Sequence, residues 1–117
     1  GITMATRIRQ KPAPAATRSA AHQMAGRADA AADLLKALAN PQRLRILCLL
    51  HDSEMSVGEL NQHVDLSQSA LSQHLAVLRE KTLVQTRRDA QTVYYTLAPG
   101  PVSAIIHTLH GIYCADC

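Results

Sequence analysis

The sequence predicts a mainly α-helical fold with a small β-hairpin wing, a winged helix-turn-helix that pairs as a homodimer. Three observations carry that expectation. With no Phe, no Trp and only three Tyr, the core must be built from Leu, Ile, Val and Ala, which favours helices. A short capped helix is followed, after a tight turn, by a second helix with a small, polar outer face. Two β-rich runs then flank Asp89-Ala90-Gln91 and bring in Arg87 and Arg88.

At 117 residues the chain fits one main domain, and its high apolar content suggests that part of its hydrophobic surface is shared with a second copy. The net charge of +3 is unevenly spread. Arg7, Arg9, Lys11, Arg18 and Arg27 precede residue 28 without one acidic residue, leaving 7 basic against 9 acidic residues beyond it. A nucleic-acid footprint on the folded part must therefore be local, and Arg79, Lys81, Arg87 and Arg88 form the obvious patch. No apolar run reaches the roughly 18 residues of a membrane span and no secretory signal is visible, so a soluble, cytoplasmic protein is expected. In that compartment a disulfide serves more often as a transient signal than as a staple.

Residues 1–18 carry Pro, Ala and Arg without periodicity and are expected to form a disordered basic arm, with residues 19–117 as the DNA-binding and dimerisation domain. Gly1-Ile2-Thr3 ahead of Met4 reads as an expression remnant, and Lys11-Pro12-Ala13-Pro14 would break a targeting helix. Helical character begins near Ala20 and continues through Met24, Ala28, Ala31, Leu35 and Leu38 until Asn40-Pro41 stops it. Asn40 caps a second helix with Pro41 at its first position, running to about His51. Leu44, Ile46, Leu47, Leu49 and Leu50 cover most of its circumference, so it should be the central buried helix, with Cys48 at the edge of the core.

Ser56 and Glu59 have capping-box spacing for a short third helix ending near Val64, and Asp65-Leu66-Ser67 turns the chain into a fourth. There Leu71, Leu75 and Leu78 point inward while Ser69, Ser72, Gln73 and Ala76 line the opposite face. A plain solvent face is usually filled with Glu and Lys, so this one suits contact with a partner. Leu83–Arg88 and Thr92–Leu97 follow as a hairpin. After Pro99-Gly100-Pro101, a last helix gathers Val102, Ile105, Ile106, Leu109, Ile112 and Tyr113 in an arc of roughly 120°, as core or dimer surface.

In such an arrangement the second helix of the turn enters the major groove, where Gln and Ser hydrogen-bond base edges, and the wing's Arg side chains reach phosphates or the minor groove. The residues themselves resemble a family. A-L-A-N-P-Q-R-L-R-I-L, L-S-Q-S-A-L-S-Q-H-L-A-V-L-R-E and L-V-Q-T-R-R-D-A-Q-T-V-Y-Y-T-L, within Leu34–Leu97, are similar to the arsenic-repressor (ArsR/SmtB) family of dimeric bacterial winged-helix repressors. The resemblance implies an inverted-repeat double-stranded DNA operator as partner, no enzymatic activity and no cofactor. It makes Gln68, Ser69, Ser72, Gln73 and His74 base-reading candidates, with Arg87, Arg88 and Gln91 on the wing, and it gives dimerisation to the first and last helices. The bland alternatives are that Ser67 and Gln68 only cap the helix, that His74 is a core-edge histidine, and that the two arginines merely guard a strand edge.

Between Ser56 and Val64 there is no Cys, so the metal-binding thiolate motif that some family members carry at the third helix is missing. One thiol on the second helix and one near the end of the last resemble instead the sulfide- and redox-responsive branch. That likeness implies that Cys48 and Cys114 close into a disulfide or polysulfide bridge that loosens DNA. Arg45 or a nearby histidine is expected to favour the Cys48 thiolate. Two inert buried thiols remain the structural alternative.

A competing metal reading uses His107, His110, Cys114 and Cys117 for zinc, cadmium or arsenite. Along one helix these span about 15 Å, against metal–ligand distances of roughly 2.0 to 2.3 Å, so one helix cannot supply all four. Cys117 is otherwise a bystander or pairs with Cys114. A thiol oxidoreductase built on those two cysteines is disfavoured, because no strand leads into them.

Overall fold

The computed structural model describes residues 15–114, with side chains from residue 20 onward. The chain divides into two compact units, residues 1–33 and 34–117. Within the described part of the first, the chain is helical and its side chains are exposed except for half-buried Ala31. This helix, α1 (Ala15–Leu38), starts five residues before the position expected from the sequence. Its Ala-rich opening carries little side-chain entropy cost and extends the helix further than apolar periodicity suggested. The proposed arm, residues 1–18, lies mostly outside the described residues.

In the second unit the end of α1 is followed by α2 (Pro41–Asp52), β1 (Met55–Ser56), α3 (Val57–His63), α4 (Gln68–Glu80), β2 (Val84–Asp89), β3 (Thr92–Leu97) and α5 (Pro101–Tyr113). Asn40 Oδ1 accepts from the backbone N–H groups of Gln42 and Arg43 at 2.9 and 3.1 Å, so the predicted cap is formed. Arg43 Nε donates to the Ala37 carbonyl at 2.6 Å, satisfying an end-of-helix acceptor and fixing the α1–α2 corner. Ile46, Leu47 and Leu50 then bury α2 against Leu60, Leu71, Leu75, Leu78 and Ile106.

The expected two-stranded wing is a three-stranded antiparallel sheet in the order β1-β3-β2. Met55 pairs with Tyr95 and Ser56 with Tyr94. A two-residue strand has no periodicity to read, and Ser56 registers in the sequence chiefly as a helix cap. The arc on α5 also divides: Val102 and Ile106 are buried, whereas Ile112 and Tyr113 are 63% and 82% exposed.

The exit from α4 is a Schellman turn. Leu83 N–H donates to Leu78 O at 2.9 Å and Thr82 N–H to Arg79 O at 3.0 Å, while Leu78 and Leu83 are both buried. Thr82 occupies the left-handed position with φ 56°, where Gly is usual and a β-branched residue is strained. Gly100, entering α5 at φ 110° and ψ −142°, has the backbone that only glycine adopts readily. Thr82→Gly should therefore raise unfolding free energy by about 0.5–1 kcal/mol, the relieved strain exceeding glycine's entropy cost. Gly100→Ala should lower it by about 1–3 kcal/mol. Urea midpoints at constant m-value check both, and a lower midpoint for Thr82→Gly would refute the strain assignment.

Candidate DNA interface and thiol site

The helix-turn-helix is held by local bonds. Ser56 Oγ accepts from Glu59 N–H at 3.2 Å while Glu59 Oε1 accepts from Ser56 N–H at 2.9 Å, closing the predicted capping box. Asn61 Nδ2 donates to Leu66 O at 2.7 Å across the turn, and Ser67 Oγ accepts from Ala70 N–H at 3.1 Å as the cap of α4. Leu71, Leu75 and Leu78 anchor the helix in the core. Gln68, Ser69, Ser72, Gln73 and Ala76 are all exposed on its other side, whereas His74 is half-buried at the boundary. The exposed face presents amide and hydroxyl groups without a net charge, the chemistry that discriminates base edges rather than merely attracting phosphate.

The wing is more specialised than the sequence suggested. Arg87 faces Tyr94 across the strands and Arg88 faces Val93, so the two arginines stand on opposite faces of the hairpin. Arg87 binds Glu54 through both carboxylate oxygens, at 2.6 and 3.0 Å, and lies over the Tyr94 ring at 4.7 Å. The hydrogen bond from Arg87 holds the Glu54 carboxyl below its usual range, and the same bond raises the guanidinium. Glu54 precedes the two-residue strand, and only the β1–β3 pairing that the sequence did not disclose brings it to Arg87. Gln91 and Arg88 are exposed at and near the hairpin tip.

Cys48 and Cys114 both line one cavity of about 350 Å³, walled otherwise by Leu44, Leu109, His110 and Tyr113. Its lining is almost wholly apolar. Cys48 is half-buried on α2, and Cys114 half-buried at the C-cap of α5, where its N–H donates to His110 O at 2.8 Å. Cys48 is a free thiol and Cys114 is a disulfide cysteine, so this form does not contain the bond between them. On its other side Cys48 borders a cavity of about 510 Å³ that includes Arg45, Asp52, His63 and His110.

The expected thiolate-favouring environment is not found. Burial pushes the Cys48 thiol above its ordinary value and the Asp52 carboxylate pushes it further, so neither Arg45 nor a histidine offsets desolvation. One turn along the same seam, the rings of His51 and His107 stack with centroids 6.1 Å apart, and His51 Nδ1 lies 3.2 Å from Asp52 Oδ1. Among the described residues no three His, Cys, Asp or Glu side chains form a group able to hold a metal. Cys117, one of the four candidate metal ligands, lies outside the described residues.

A capped helix presenting a small polar face away from a leucine core, beside a three-stranded wing, defines a winged helix-turn-helix DNA-binding module. Residues 40–86 match the model of the family described as "Bacterial regulatory protein, arsR family". The chain is 62% identical over 81 residues to the transcriptional activator HlyU of Vibrio cholerae serotype O1, covering 69% of this chain and 75% of that protein. It is 39% identical over 113 residues to the biofilm growth-associated repressor of Xylella fastidiosa, covering 97% and 96%. The structure of reduced HlyU from Vibrio cholerae N16961 superposes with a TM-score of 0.75 at 56% identity, over 79% of this chain and 97% of that one. The chain belongs to the arsR family of bacterial transcriptional regulators. Among the described residues no helix is long and apolar enough to cross a membrane.

The raised Cys48 value has a signed consequence. In a protein with Ser at positions 114 and 117, alkylation by iodoacetamide should follow a midpoint above that of ordinary cysteine, leaving little thiolate at neutral pH. Asp52→Asn removes the smaller of the two causes, so the midpoint should fall while staying above the ordinary value, and the rate below the midpoint should rise. A slower reaction after Asp52→Asn would contradict the assignment.

Proposed function

We propose that this protein is a homodimeric repressor that binds an inverted-repeat operator and is released when Cys48 and Cys114 are joined through sulfur. The observation that carries the reading is the shared apolar cavity between α2 and α5, to which both residues contribute. Two thiols yield a disulfide by losing two protons and passing two electrons to an oxidant such as a peroxide. With a persulfide donor, two equivalents instead convert both thiols to persulfides and leave as two thiols, and one cysteine persulfide then attacks the other, forming a trisulfide bridge and expelling hydrogen sulfide. A direct bond requires Cα atoms within about 7 Å, and a bridge of several sulfurs relaxes that limit.

The bridge ties the central helix to the terminal one. In the proposed dimer α1 and α5 form the shared surface, a reading supported by exposed Leu35, Ile112 and Tyr113. A tie between α2 and α5 then changes the spacing of two recognition helices that must meet half-sites about one helical turn apart. Gln68, Ser69, Ser72, Gln73 and His74 read the bases, and the wing contacts the backbone. One of the similar solved structures is that of reduced HlyU, which supports treating the oxidation state of cysteine as a variable in this chain. The relatives include both an activator and a repressor by name; repression is favoured here because release on modification is the simplest output of a strained dimer.

The test uses a Cys117→Ser protein, in which any intrachain loss of two hydrogens must join the two remaining cysteines. Reduced protein is bound to a duplex it has selected from a random pool, then treated with hydrogen peroxide or glutathione persulfide. Intact mass should show loss of two hydrogens or gain of bridging sulfur, with affinity falling about 5- to 150-fold, the range of typical coupling energies. Cys48→Ser and Cys114→Ser proteins should keep their DNA. If either still releases as the parent does, the switch is wrong; release by stoichiometric zinc from Cys48→Ser would transfer the function to the metal reading.

A further inference from the structure

Resting on the reading of this chain as a duplex-binding regulator, the geometry points to a division of labour on the wing: Arg88 contacts the DNA phosphate, whereas Arg87 is held off the duplex by Glu54 and positions the hairpin. Strand alternation places Arg87 and Arg88 on opposite faces, as their partners Tyr94 and Val93 show. Arg87 shares its face with Asp89, paired with Thr92, and its guanidinium is bound in bidentate fashion by Glu54. Its side therefore carries two carboxylates against one guanidinium and repels a polyanion at close range.

The face of Arg88 differs. It continues the row Val84, Thr86, Arg88, whose first members lie against the body of the domain, so Arg88 projects beyond the edge of the core near the hairpin tip. It has no ion-pair partner among the described residues. Its nearest sequence neighbour of opposite charge, Asp89, stands on the other face. A guanidinium free of a carboxylate releases counterions when it meets a phosphate; one already neutralised must first give up its partner.

Arg87 consequently acts through position. Its bond to Glu54 spans 33 residues of chain and joins the α2–β1 connection to β2, while its stacking on Tyr94 braces the neighbouring strand. Glu54 occupies the place a phosphate would take, which limits indiscriminate attraction of the wing to DNA.

The experiment measures binding of the full, reduced chain to a mixed-sequence 30-base-pair duplex across 50–200 mM salt. That probe is dominated by phosphate contacts. Arg88→Ala should make the slope of log affinity against log salt shallower by about 0.9 per engaged wing, so affinity falls about threefold less per wing over that range. The charge-swapped pair Glu54→Lys with Arg87→Glu restores the bond with reversed polarity and should keep the parental slope. Glu54→Gln should steepen the slope by freeing Arg87. A shallower slope in the swapped protein, or an unchanged slope in Arg88→Ala, overturns the division. Thermal unfolding curves identify any variant that is unfolded, and failure of the parent to bind any duplex would instead refute the DNA-binding reading itself.

Discussion

The burial of α2 is the constraint on which the rest of the structure depends. Ile46 and Leu47 are wholly inaccessible and Leu50 nearly so, and the helix packs against α4, β3 and α5. A helix enclosed on three sides by close-packed aliphatic groups cannot shift alone, since a displacement comparable to a methylene is already costly in such an interior. The second helix of the helix-turn-helix, α4, therefore takes its position from α2 through Leu71, Leu75 and Leu78. Asn40 and Arg43 fix the other end by satisfying backbone groups at the α1–α2 corner. Caps and core thus set one orientation for an exposed face that contributes no burial of its own.

Against that rigid background the α2–α5 seam is the loosely filled part. Its cavity of about 350 Å³ separates Cys48 from the tail of α5, and its apolar lining leaves little to solvate a thiolate. The same desolvation that depresses thiolate formation favours neutral reactants and neutral products. In the proposed switch, sulfur atoms would replace empty volume rather than displace packed side chains. The seam can therefore change its contents without dismantling the core, while its edges at His51 and His107 keep the two helices in contact.

Much of this organisation was legible in the sequence because local rules and tertiary packing agree. Asn40-Pro41, the Ser56–Glu59 box and the leucine spacing of α4 each state one outcome, and the structure contains all three. What escaped reading depended on contacts distant in the chain. Glu54 has no local signal that it will bind Arg87, since their meeting requires β1 to join β3. The electrostatics of Cys48 escaped for a related reason: Arg45 and Asp52 both neighbour it on the helix, and only the three-dimensional burial shows that the cation does not prevail. The early start of α1 is the opposite case, a purely local alanine preference underestimated because it lacks an apolar stripe.

Charge distribution gives the final link between the fold and the scale of regulation. Beyond residue 28 acidic residues outnumber basic ones, the recognition face is uncharged, and one of the two wing arginines is already neutralised. In the proposed complex that part of the surface would offer few phosphate contacts, so its own sequence-independent share of DNA affinity would be small and the hydrogen-bonded fit to base edges would carry proportionally more of it. A fit of that kind depends on where the helices stand, whereas diffuse charge attraction tolerates displacement. In the proposed switch, a tie between α2 and α5 worth only about 1–3 kcal/mol would then be enough to release DNA, because the domain beyond residue 28 supplies little diffuse charge attraction to hold a misaligned pair of helices in place.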